Sequence, residues 1–471
     1  MSCAAPRIIR TESDSMKKGT KKIREYMRTS FTQVSHTTLN PEGPGSVRIH
    51  LVPPFDPEGN LVPSVAIVNG QDIIPVNYSW SIILNELIGQ INKYDGKPVS
   101  DADAASIIDE TCRSVGRLFR FVRKKKLKKD IYTMMNSLCQ IAYGELPDSP
   151  VGYLNIGEYA PYMKAPHRMD LMVSAMTAGG RWHCNQKCVH CYAAGQPLAE
   201  EKELTTEEWK LILDRLRAAC VTQVTFTGGE PTMREDLFEL ISYARWFVSR
   251  LNTNGIKLTR EYCDRLRAAE LDSLQITFYS SDPAVHERLV GVGQFEKTSA
   301  GISNALAAGL SVSVNTPLCT LNRDYVETLR FLHEKGVRYV TCSGLITTGN
   351  ALKEDSERLQ LSPEELREVL KEAAEFAFSH SMEIAFTSPG WLDAEFLESL
   401  GLTVPTCGAC LSNMAVTPGG NVVPCQSWLS GEPLGSMLGD GFDWNSIWTG
   451  PECAAIRAES AKVEGRCPLR R

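Results

Sequence analysis

From residue 168 onward, short apolar stretches alternate with amphipathic stretches of helical period. The apolar stretches predict strands, and they are MDLMVSAMT, VTQVTFTGG, SRLNTNG, LDSLQITFYSS, LSVSVNTPL and VRYVTCSGL. Helices are predicted after them at Thr205–Cys220, Arg234–Phe247, Leu258–Ala269, Lys297–Ala308, Asp324–Lys335 and Ser362–Ser379. Six strand–helix units predict parallel strands with helical crossovers. We therefore expect an α/β fold, with a partial (β/α)6 barrel of the TIM type at residues 165–395.

The pattern before the barrel is different. VPSVAIVNGQDIIPVN contains two apolar stretches around Asn69-Gly70, which is a strong hairpin signal. Two stretches of helical period follow, and Ser100 is a suitable N-cap for the second of them. Residues 48–145 are therefore predicted to form a small winged-helix-like domain, preceded by a flexible or weakly helical lead-in at residues 1–47. The basic run at residues 123–130 predicts a solvated helix face or a docking patch for an acidic peptide.

Residues 400–471 interrupt the alternation again. They are rich in Gly, Pro and Cys and contain one evident helix, near residues 451–460. A short, loop-rich segment needs cross-links or bound metal to stay ordered. We expect a small cysteine-rich domain here.

Composition narrows the possible functions. The net charge of −6 argues against a general nucleic-acid binder, and no apolar run is long enough to cross a bilayer. The N-terminus lacks a secretory apolar core, so we expect a cytoplasmic protein with neither nucleic acid nor membrane as a partner. In that compartment, 15 cysteines that gather in clusters indicate metal binding or redox chemistry.

The first cluster of cysteines is CNQKCVHCY, which contains Cys184, Cys188 and Cys191. Thiolates suit soft iron, and a four-iron cluster needs four ligands. Three cysteines would therefore leave one iron open to chelate a small molecule that carries an amine and a carboxylate. Tyr192 adds an aromatic wall beside this loop. His183 and His190 are expected to shape the loop rather than to supply a fourth ligand.

The second predicted strand ends in TGGEPT. Gly228 and Gly229 would let a ligand approach the backbone closely, and Glu230 offers a carboxylate that can orient it. Both features follow strands, and barrel enzymes place their chemistry at the C-terminal ends of strands.

CNQKCVHCY, TGGEPT and the six-unit order together resemble the radical S-adenosylmethionine (SAM) superfamily over roughly residues 168–390. The resemblance implies a 4Fe–4S cluster that binds SAM and cleaves it reductively to a 5′-deoxyadenosyl radical, which abstracts hydrogen from a substrate. The implied cluster ligands, which are also the catalytic residues, are Cys184, Cys188 and Cys191. The implied contacts to SAM are Tyr192, Gly228, Gly229, Glu230, Asn252, Asn254, Thr277 and Asn315.

The C-terminal cysteines resemble the auxiliary-cluster domains called SPASM and twitch, around the predicted hairpin AVTPGGNVVPCQSW. The dense second cysteine set of a full SPASM domain is absent from this sequence. The resemblance therefore implies one auxiliary 4Fe–4S cluster, held by Cys407, Cys410, Cys425 and Cys467. Cys453 is an alternative fourth ligand, and a zinc site with the same cysteines is an alternative to the cluster.

The front domain is similar in element order to the PqqD-like element that binds leader peptides. With a radical SAM core and an auxiliary cluster, this similarity implies a maturase of a ribosomally made precursor peptide. We expect a thioether of the sactipeptide or ranthipeptide type, or a carbon–carbon cross-link. The alternatives are epimerisation, for which Cys319 or Cys342 could donate hydrogen, and action on a small molecule or a folded protein. The implied partners are a precursor peptide with its leader and a flavodoxin or ferredoxin as electron donor.

Overall fold

The computed structural model describes residues 20–39, 47–56, 58–62, 64–94, 99–119, 122–353, 359–462, 467 and 469. The chain divides into two compact units, residues 1–155 and residues 156–471. Within the described ranges, no helix is both long enough and apolar enough to span a membrane.

In the described residues of the first unit, a four-stranded antiparallel sheet is accompanied by four α-helices. The strands lie in the order β1-β2-β3-β4, at Ser35–Leu39, Val47–Val52, Ser64–Val68 and Asp72–Val76. The helices α1 to α4 are Thr20–Ser30, Tyr78–Ile91, Asp101–Gly116 and Lys124–Ala142. The predicted hairpin at Asn69-Gly70 is confirmed, and both residues have positive φ, as a two-residue turn of this kind requires. Ser100 caps α3 in a capping box with Asp103, which confirms the predicted helix start.

The described part of the predicted lead-in is folded, with a helix followed by a strand. Residues 20–39 contain α1 and β1, and Met27 and Phe31 are buried in the core of the first unit with Ile49 and Leu51. The helix α1 is rich in lysine and arginine, and only a few of its residues are apolar. Its apolar face is therefore difficult to recognise in the sequence. Residues 1–19 and 40–46 lie outside the described residues.

The second unit contains a ten-stranded sheet in the order β13-β12-β11-β10-β9-β8-β5-β14-β15-β16. The strands predicted for the barrel are β5, β8, β9, β10, β11 and β12, at Arg168–Ser174, Gln223–Gly228, Val248–Thr253, Ser273–Thr277, Val312–Pro317 and Tyr339–Ser343. Neighbours among them are all parallel, as predicted. A further parallel strand, β13 at Glu383–Phe386, extends the sheet beyond β12. The short strands β6 at Thr177–Ala178 and β7 at Arg181–Trp182 form a separate hairpin.

The helices of this unit alternate with the strands. Each helix predicted for the barrel is present, although the one predicted at Arg234–Phe247 is shorter. In chain order, the helices α5 to α15 of the described residues are Ile156–Tyr159, Thr206–Ala218, Leu237–Tyr243, Arg260–Ala268, Pro283–Val290, Phe295–Ala307, Tyr325–Glu334, Pro363–Ser379, Ala394–Ser399, Trp444–Thr449 and Pro451–Ser460.

The cysteine-rich segment joins the barrel sheet instead of folding apart from it. The predicted hairpin is confirmed as β14 at Asn413–Val416 and β15 at Asn421–Val423, and β16 at Gly435–Ser436 follows. Strand β14 pairs in parallel with β5, the first barrel strand. Glu201 holds the turn of the hairpin, because its carboxylate accepts from the Gly419 amide at 3.1 Å and from Asn421 Nδ2 at 2.7 Å.

Candidate active site

One cavity of about 550 Å³ is lined by side chains inside the barrel and by the loops at the C-terminal ends of its strands. The residues predicted from the resemblance to hold the SAM-binding cluster and SAM all line it: Cys184, Cys188, Cys191, Tyr192, Gly228, Gly229, Glu230, Asn252, Asn254, Thr277 and Asn315. Two of the C-terminal cysteines, Cys425 and Cys467, also line it, whereas Cys407 and Cys410 do not. The structure thus brings eleven dispersed residues and two thiols of the C-terminal segment around one space.

The three N-terminal cysteines lie in an irregular segment, residues 183–192, which we call the cluster loop. Its middle is fixed to the last turn of α9, where the amides of Lys187 and Val189 donate to carbonyls at 2.9 and 3.0 Å. Gly291, just after α9, allows this approach, because a Cβ there would lie 2.5 Å from the carbonyl oxygen of Lys187. The cluster loop is therefore positioned by a neighbouring barrel helix.

A second segment, which no sequence signal indicates, also holds the cluster loop. Asn350 donates from its amide to the Cys191 carbonyl at 2.9 Å and from its side chain to the Cys188 carbonyl at 3.1 Å. Gly349, at φ +57, lies so close that a Cβ would be 2.4 Å from the Tyr192 carbonyl oxygen and 2.6 Å from that of Cys191. Residues 349–350 thus clamp the backbone between two of the three thiols.

The paired glycines of TGGEPT lie close to the backbone at the end of β5. A Cβ on Gly228 would lie 2.1 Å from the carbonyl oxygen of Ser174, and one on Gly229 would lie 2.7 Å from that of Ala175. The Gly229 amide also donates to Ser174 at 2.7 Å. The close approach that requires glycine is therefore to the end of β5, although both glycines line the cavity as well.

Glu230 is buried, and hydrogen bonds from four donors occupy its carboxylate. It accepts from the amide and hydroxyl of Thr232 at 3.0 and 2.6 Å, from the Thr253 hydroxyl at 2.7 Å and from the Asn254 amide at 2.8 Å. Burial raises the pKa of Glu230, and these hydrogen bonds oppose that rise. Glu230 therefore joins the TGGEPT loop to the end of β9.

We expect Glu230→Gln to lower the melting temperature and the iron content of the purified protein. The substitution turns one acceptor into an N–H donor that faces other donors, and each buried polar group left unpaired costs about 1–3 kcal/mol. Thermal unfolding and iron analysis measure the two effects. Glu239→Gln, on the exposed face of α7, is the matched control and should change neither. An unchanged melting temperature for Glu230→Gln would show that the four hydrogen bonds stabilise nothing.

Some of the remaining polar residues of the site have hydrogen-bond partners within the chain, and others do not. Asn254 is engaged within the chain, because its side chain donates to Asn185 Oδ1 of the cluster loop at 2.6 Å. Asn315 accepts from the Thr341 hydroxyl at 2.8 Å. In contrast, Asn252 Oδ1 is buried at the cavity without a hydrogen-bond partner, as is Thr225 Oγ1. Buried polar atoms are nearly always paired, so these two are candidates for hydrogen bonds to a polar ligand in the cavity.

The chemistry of the three thiols fits an iron–sulfur cluster. Burial raises the pKa of Cys184 to about 12 and also raises those of Cys188 and Cys191, so bare thiolates are disfavoured and a bound metal would stabilise them. No three His, Cys, Asp or Glu side chains in the described ranges converge as ligands of a single metal ion. The thiols instead line a space, which suits a cluster whose irons occupy separate corners.

The C-terminal cysteines lie near one another. Burial, followed by the neighbouring Cys467 and Cys407, raises the pKa of Cys425 to about 12. Contact with Cys453, followed by burial, raises the pKa of Cys410. The structure therefore places Cys453, the alternative ligand, directly beside Cys410. This contact involves Arg457 too, whose Nη2 donates to Cys453 Sγ at 3.3 Å.

The remaining histidines and cysteines that the sequence singled out make no charged contribution to the cavity. His183 faces Glu203, with 3.8 Å between Nε2 and Oε1. His190 lines the cavity, and burial lowers its pKa to about 4. Cys319 and Cys342 are fully buried and do not line the cavity.

Residues 183–333 match the radical SAM superfamily, from the start of the cluster loop to α11. The barrel of this chain is therefore a radical SAM domain, the domain of an enzyme superfamily.

Two curated relatives show how far the similarity extends. The chain is 32% identical to Fe-coproporphyrin III synthase of Methanosarcina barkeri over 182 residues, which are 38% of this chain and 45% of that protein. It is 34% identical to the mycofactocin maturase MftC of Mycobacterium tuberculosis over 130 residues, which are 27% of this chain and 33% of that protein. The similarity thus spans less than half the length of either relative.

Among solved structures, SuiB of Streptococcus suis resembles this chain. Its complex with the precursor peptide SuiA aligns with a TM-score of 0.55 at 13% identity, over 86% of this chain and 92% of SuiB. At that identity, the likeness shows a shared fold and nothing further.

Proposed function

We propose that this chain is a radical SAM maturase that cross-links a ribosomally made precursor peptide, with a thioether as the first expectation and a carbon–carbon bond as the second. The observation that carries the proposal is one cavity that is lined by all three thiols of the cluster loop and by two of the C-terminal cysteines, Cys425 and Cys467. The names of the relatives support a peptide substrate, because MftC is a maturase and SuiB was crystallised with a precursor peptide.

The residues of the cavity would have distinct tasks. Cys184, Cys188 and Cys191 would hold the SAM-binding 4Fe–4S cluster. When bound, this cluster and SAM supply a 5′-deoxyadenosyl radical that takes a hydrogen atom from the substrate. The unpartnered Asn252 amide oxygen accepts a hydrogen bond from a polar group of the ligand. Glu230 keeps the TGGEPT loop in place.

The C-terminal cysteines favour cross-linking over epimerisation. Cross-linking removes two hydrogens, so an electron acceptor is needed after the hydrogen atom has been taken. Cys407, Cys410, Cys425 and Cys467 would hold an auxiliary 4Fe–4S cluster that supplies this acceptor, in a SPASM- or twitch-like domain. Cys319 and Cys342 are fully buried outside the cavity, which argues against either as a thiol hydrogen donor.

The first unit is proposed to bind the leader of the peptide. Its antiparallel sheet has two edge strands, β1 and β4, and an extended peptide can add to such an edge. In the same unit, α4 begins within the basic run, where Leu127 is buried and Lys125, Lys126 and Lys129 are exposed. These lysines would attract an acidic leader. A flavodoxin or ferredoxin is the proposed electron donor.

Co-expression with the short reading frames that flank the gene tests the proposal. We expect mass spectrometry to find a peptide that is two hydrogen atoms lighter with the unaltered chain and unchanged with Cys188→Ala. The same peptide without its N-terminal half should be a poorer substrate. A peptide of unchanged mass that acquires deuterium from heavy water would indicate epimerisation and contradict cross-linking.

A small-molecule substrate is the second candidate, and the similarity to Fe-coproporphyrin III synthase favours it. The two candidates differ in what the first unit must do. If that unit binds no leader peptide in a fluorescence polarisation titration and no peptide is modified, the maturase proposal is wrong.

A further inference from the structure

The lumen of the barrel is polar, which is unusual for this architecture. Barrels of this type are normally filled by branched apolar side chains. Here the strands contribute polar side chains to the cavity, namely Thr225, Arg250, Asn252, Gln275, Asn315 and Thr341. A lumen lined in this way is suited to a polar ligand group.

Two arginines line the cavity far from the cluster loop. Arg250 lies four residues before Asn254, whose side chain contacts the loop, and this separation is about 13 Å along an extended strand. Arg168 begins β5, and Ser174 ends it about 20 Å further on. Both arginines therefore lie toward the N-terminal ends of their strands, away from the glycines and thiols of the cluster site.

Strand pairing shows which residues of the neighbouring strands lie beside Arg250. Thr225 of β8 is opposite both Asp170 of β5 and Arg250 of β9, and Arg250 is opposite Ser273 of β10. These four polar residues thus form one row across four strands. Thr225 Oγ1 is buried without a partner, Thr225 is 1% exposed and lines the cavity, and its hydroxyl can donate to a ligand. Asp170 Oδ2 is also buried without a partner, but it can only accept, and Asp170 does not line the cavity.

The charges of this region do not balance. Among the described residues that line the cavity, the charged side chains are Arg168, Arg250 and Glu230, and the Glu230 carboxylate is occupied by four donors. Asp170 pairs with Arg168, with 2.9 Å between Oδ1 and Nε. Arg250 Nε donates to the Ser273 hydroxyl at 3.3 Å, and no described carboxylate lies within ion-pair distance of its guanidinium. Burial, followed by the charge of Arg168, lowers the pKa of Arg250.

We propose that Arg250, with Arg168 and Thr225, binds a carboxylate of the substrate and so fixes which substrate group lies near the cluster loop. Two guanidiniums and one aspartate leave a single positive charge, which matches a monoanion better than a phosphate dianion. A guanidinium fork also fits the two oxygens of a carboxylate. This inference rests on the proposed function for its peptide substrate, whose carboxylate is either the C-terminus or the side chain of Asp or Glu.

Binding of small capped peptides to the protein with both clusters and SAM tests the proposal without turnover. The probes are N-acetyl-tetraglycine as free acid and as amide, and N-acetyl-Gly-Gly-Glu-Gly-amide with its Gln counterpart. Saturation-transfer NMR under anaerobic conditions measures their dissociation constants. We expect at least one acid to bind about tenfold or more tightly than its neutral counterpart, since a charge-assisted pair is lost in the latter. The pair that shows the difference identifies the source of the carboxylate.

Variants show whether Arg250 is responsible. Arg250→Gln should remove the preference for the acid, and Arg250→Lys should retain part of it. Arg260→Gln, on the exposed face of α8, should leave it unchanged. Equal affinity for acid and neutral probes would overturn the proposal. An Arg250→Gln variant of normal iron content that keeps the preference for the acid would also overturn the proposal. An Arg250→Gln variant that binds SAM more weakly would overturn it as well. A chain with this preference that modifies no peptide would contradict the maturase proposal alone.

Discussion

Replacing Cys184, Cys188 or Cys191 by alanine should abolish reductive cleavage of SAM. With two thiolates left, the cluster loses the arrangement that holds three irons and leaves one open. We expect 5′-deoxyadenosine formation with dithionite to fall by at least about a hundredfold, since even residues behind metal ligands change activity by 10–100-fold. Liquid chromatography of the anaerobically reconstituted protein measures this loss.

The C-terminal cysteines should respond differently. Cys425→Ala is expected to keep part of the 5′-deoxyadenosine formation while product formation stops, because Cys425 belongs to the other group of thiols at the cavity. Cys263→Ala is the matched control, since Cys263 is fully buried in α8 and does not line the cavity. It should affect neither activity beyond a small loss of stability. Equal loss of both activities in the two groups of cysteines would refute this division.

Gly349→Ala should deplete the protein of the SAM-binding cluster although it changes no ligand. A methyl group at Gly349 would collide with the carbonyl oxygens of Tyr192 and Cys191, which are backbone atoms and cannot rotate away. The clamp must then open and shift the last thiol of the cluster loop. We expect loss of roughly half or more of the bound iron and a melting temperature lower by several degrees, since overpacking costs about 1–3 kcal/mol.

Gly336→Ala separates this collision from backbone strain. Gly336 also has positive φ, but nothing lies within 4 Å of the position that a Cβ would take there. The Gly336→Ala variant should be less stable by about 1–2 kcal/mol, because alanine is strained in the left-handed backbone conformation. It should keep its iron. Gly291→Ala, on the other side of the cluster loop, should behave like Gly349→Ala. If Gly349→Ala and Gly336→Ala retain equal iron, the clamp does not position the cluster loop.

Local signals in the sequence predict much of this fold. The Asn69-Gly70 turn, the Ser100 cap and the alternation of strands and helices each depend on neighbouring residues, and all appear in the structure. The spacing within CNQKCVHCY and the TGGEPT motif likewise locate residues that line one cavity.

Contacts between distant segments are not predictable from such signals. Asn350 has no local signature, because its role depends on carbonyls more than 150 residues earlier in the chain. The requirement for glycine at Gly228 comes from Ser174 on the neighbouring strand, and the sequence motif alone does not reveal that contact. The row that includes Arg250 likewise becomes visible only when strand register is known. Residue type at these positions reflects tertiary structure, and a single sequence does not contain that information.

The pairing of β5 with β14 has a consequence for biosynthesis. The residues that pair are Arg168 to Leu171 and Asn413 to Val416, so more than two hundred residues separate partners in the same ladder. Contacts of this range slow folding, because a long loop must close before they form. During translation, the first barrel strand leaves the ribosome long before its outer neighbour exists. The edge of β5 next to the cluster loop therefore stays open until Asn413 to Val416 have been made, and we expect iron–sulfur assembly to follow that stage of translation.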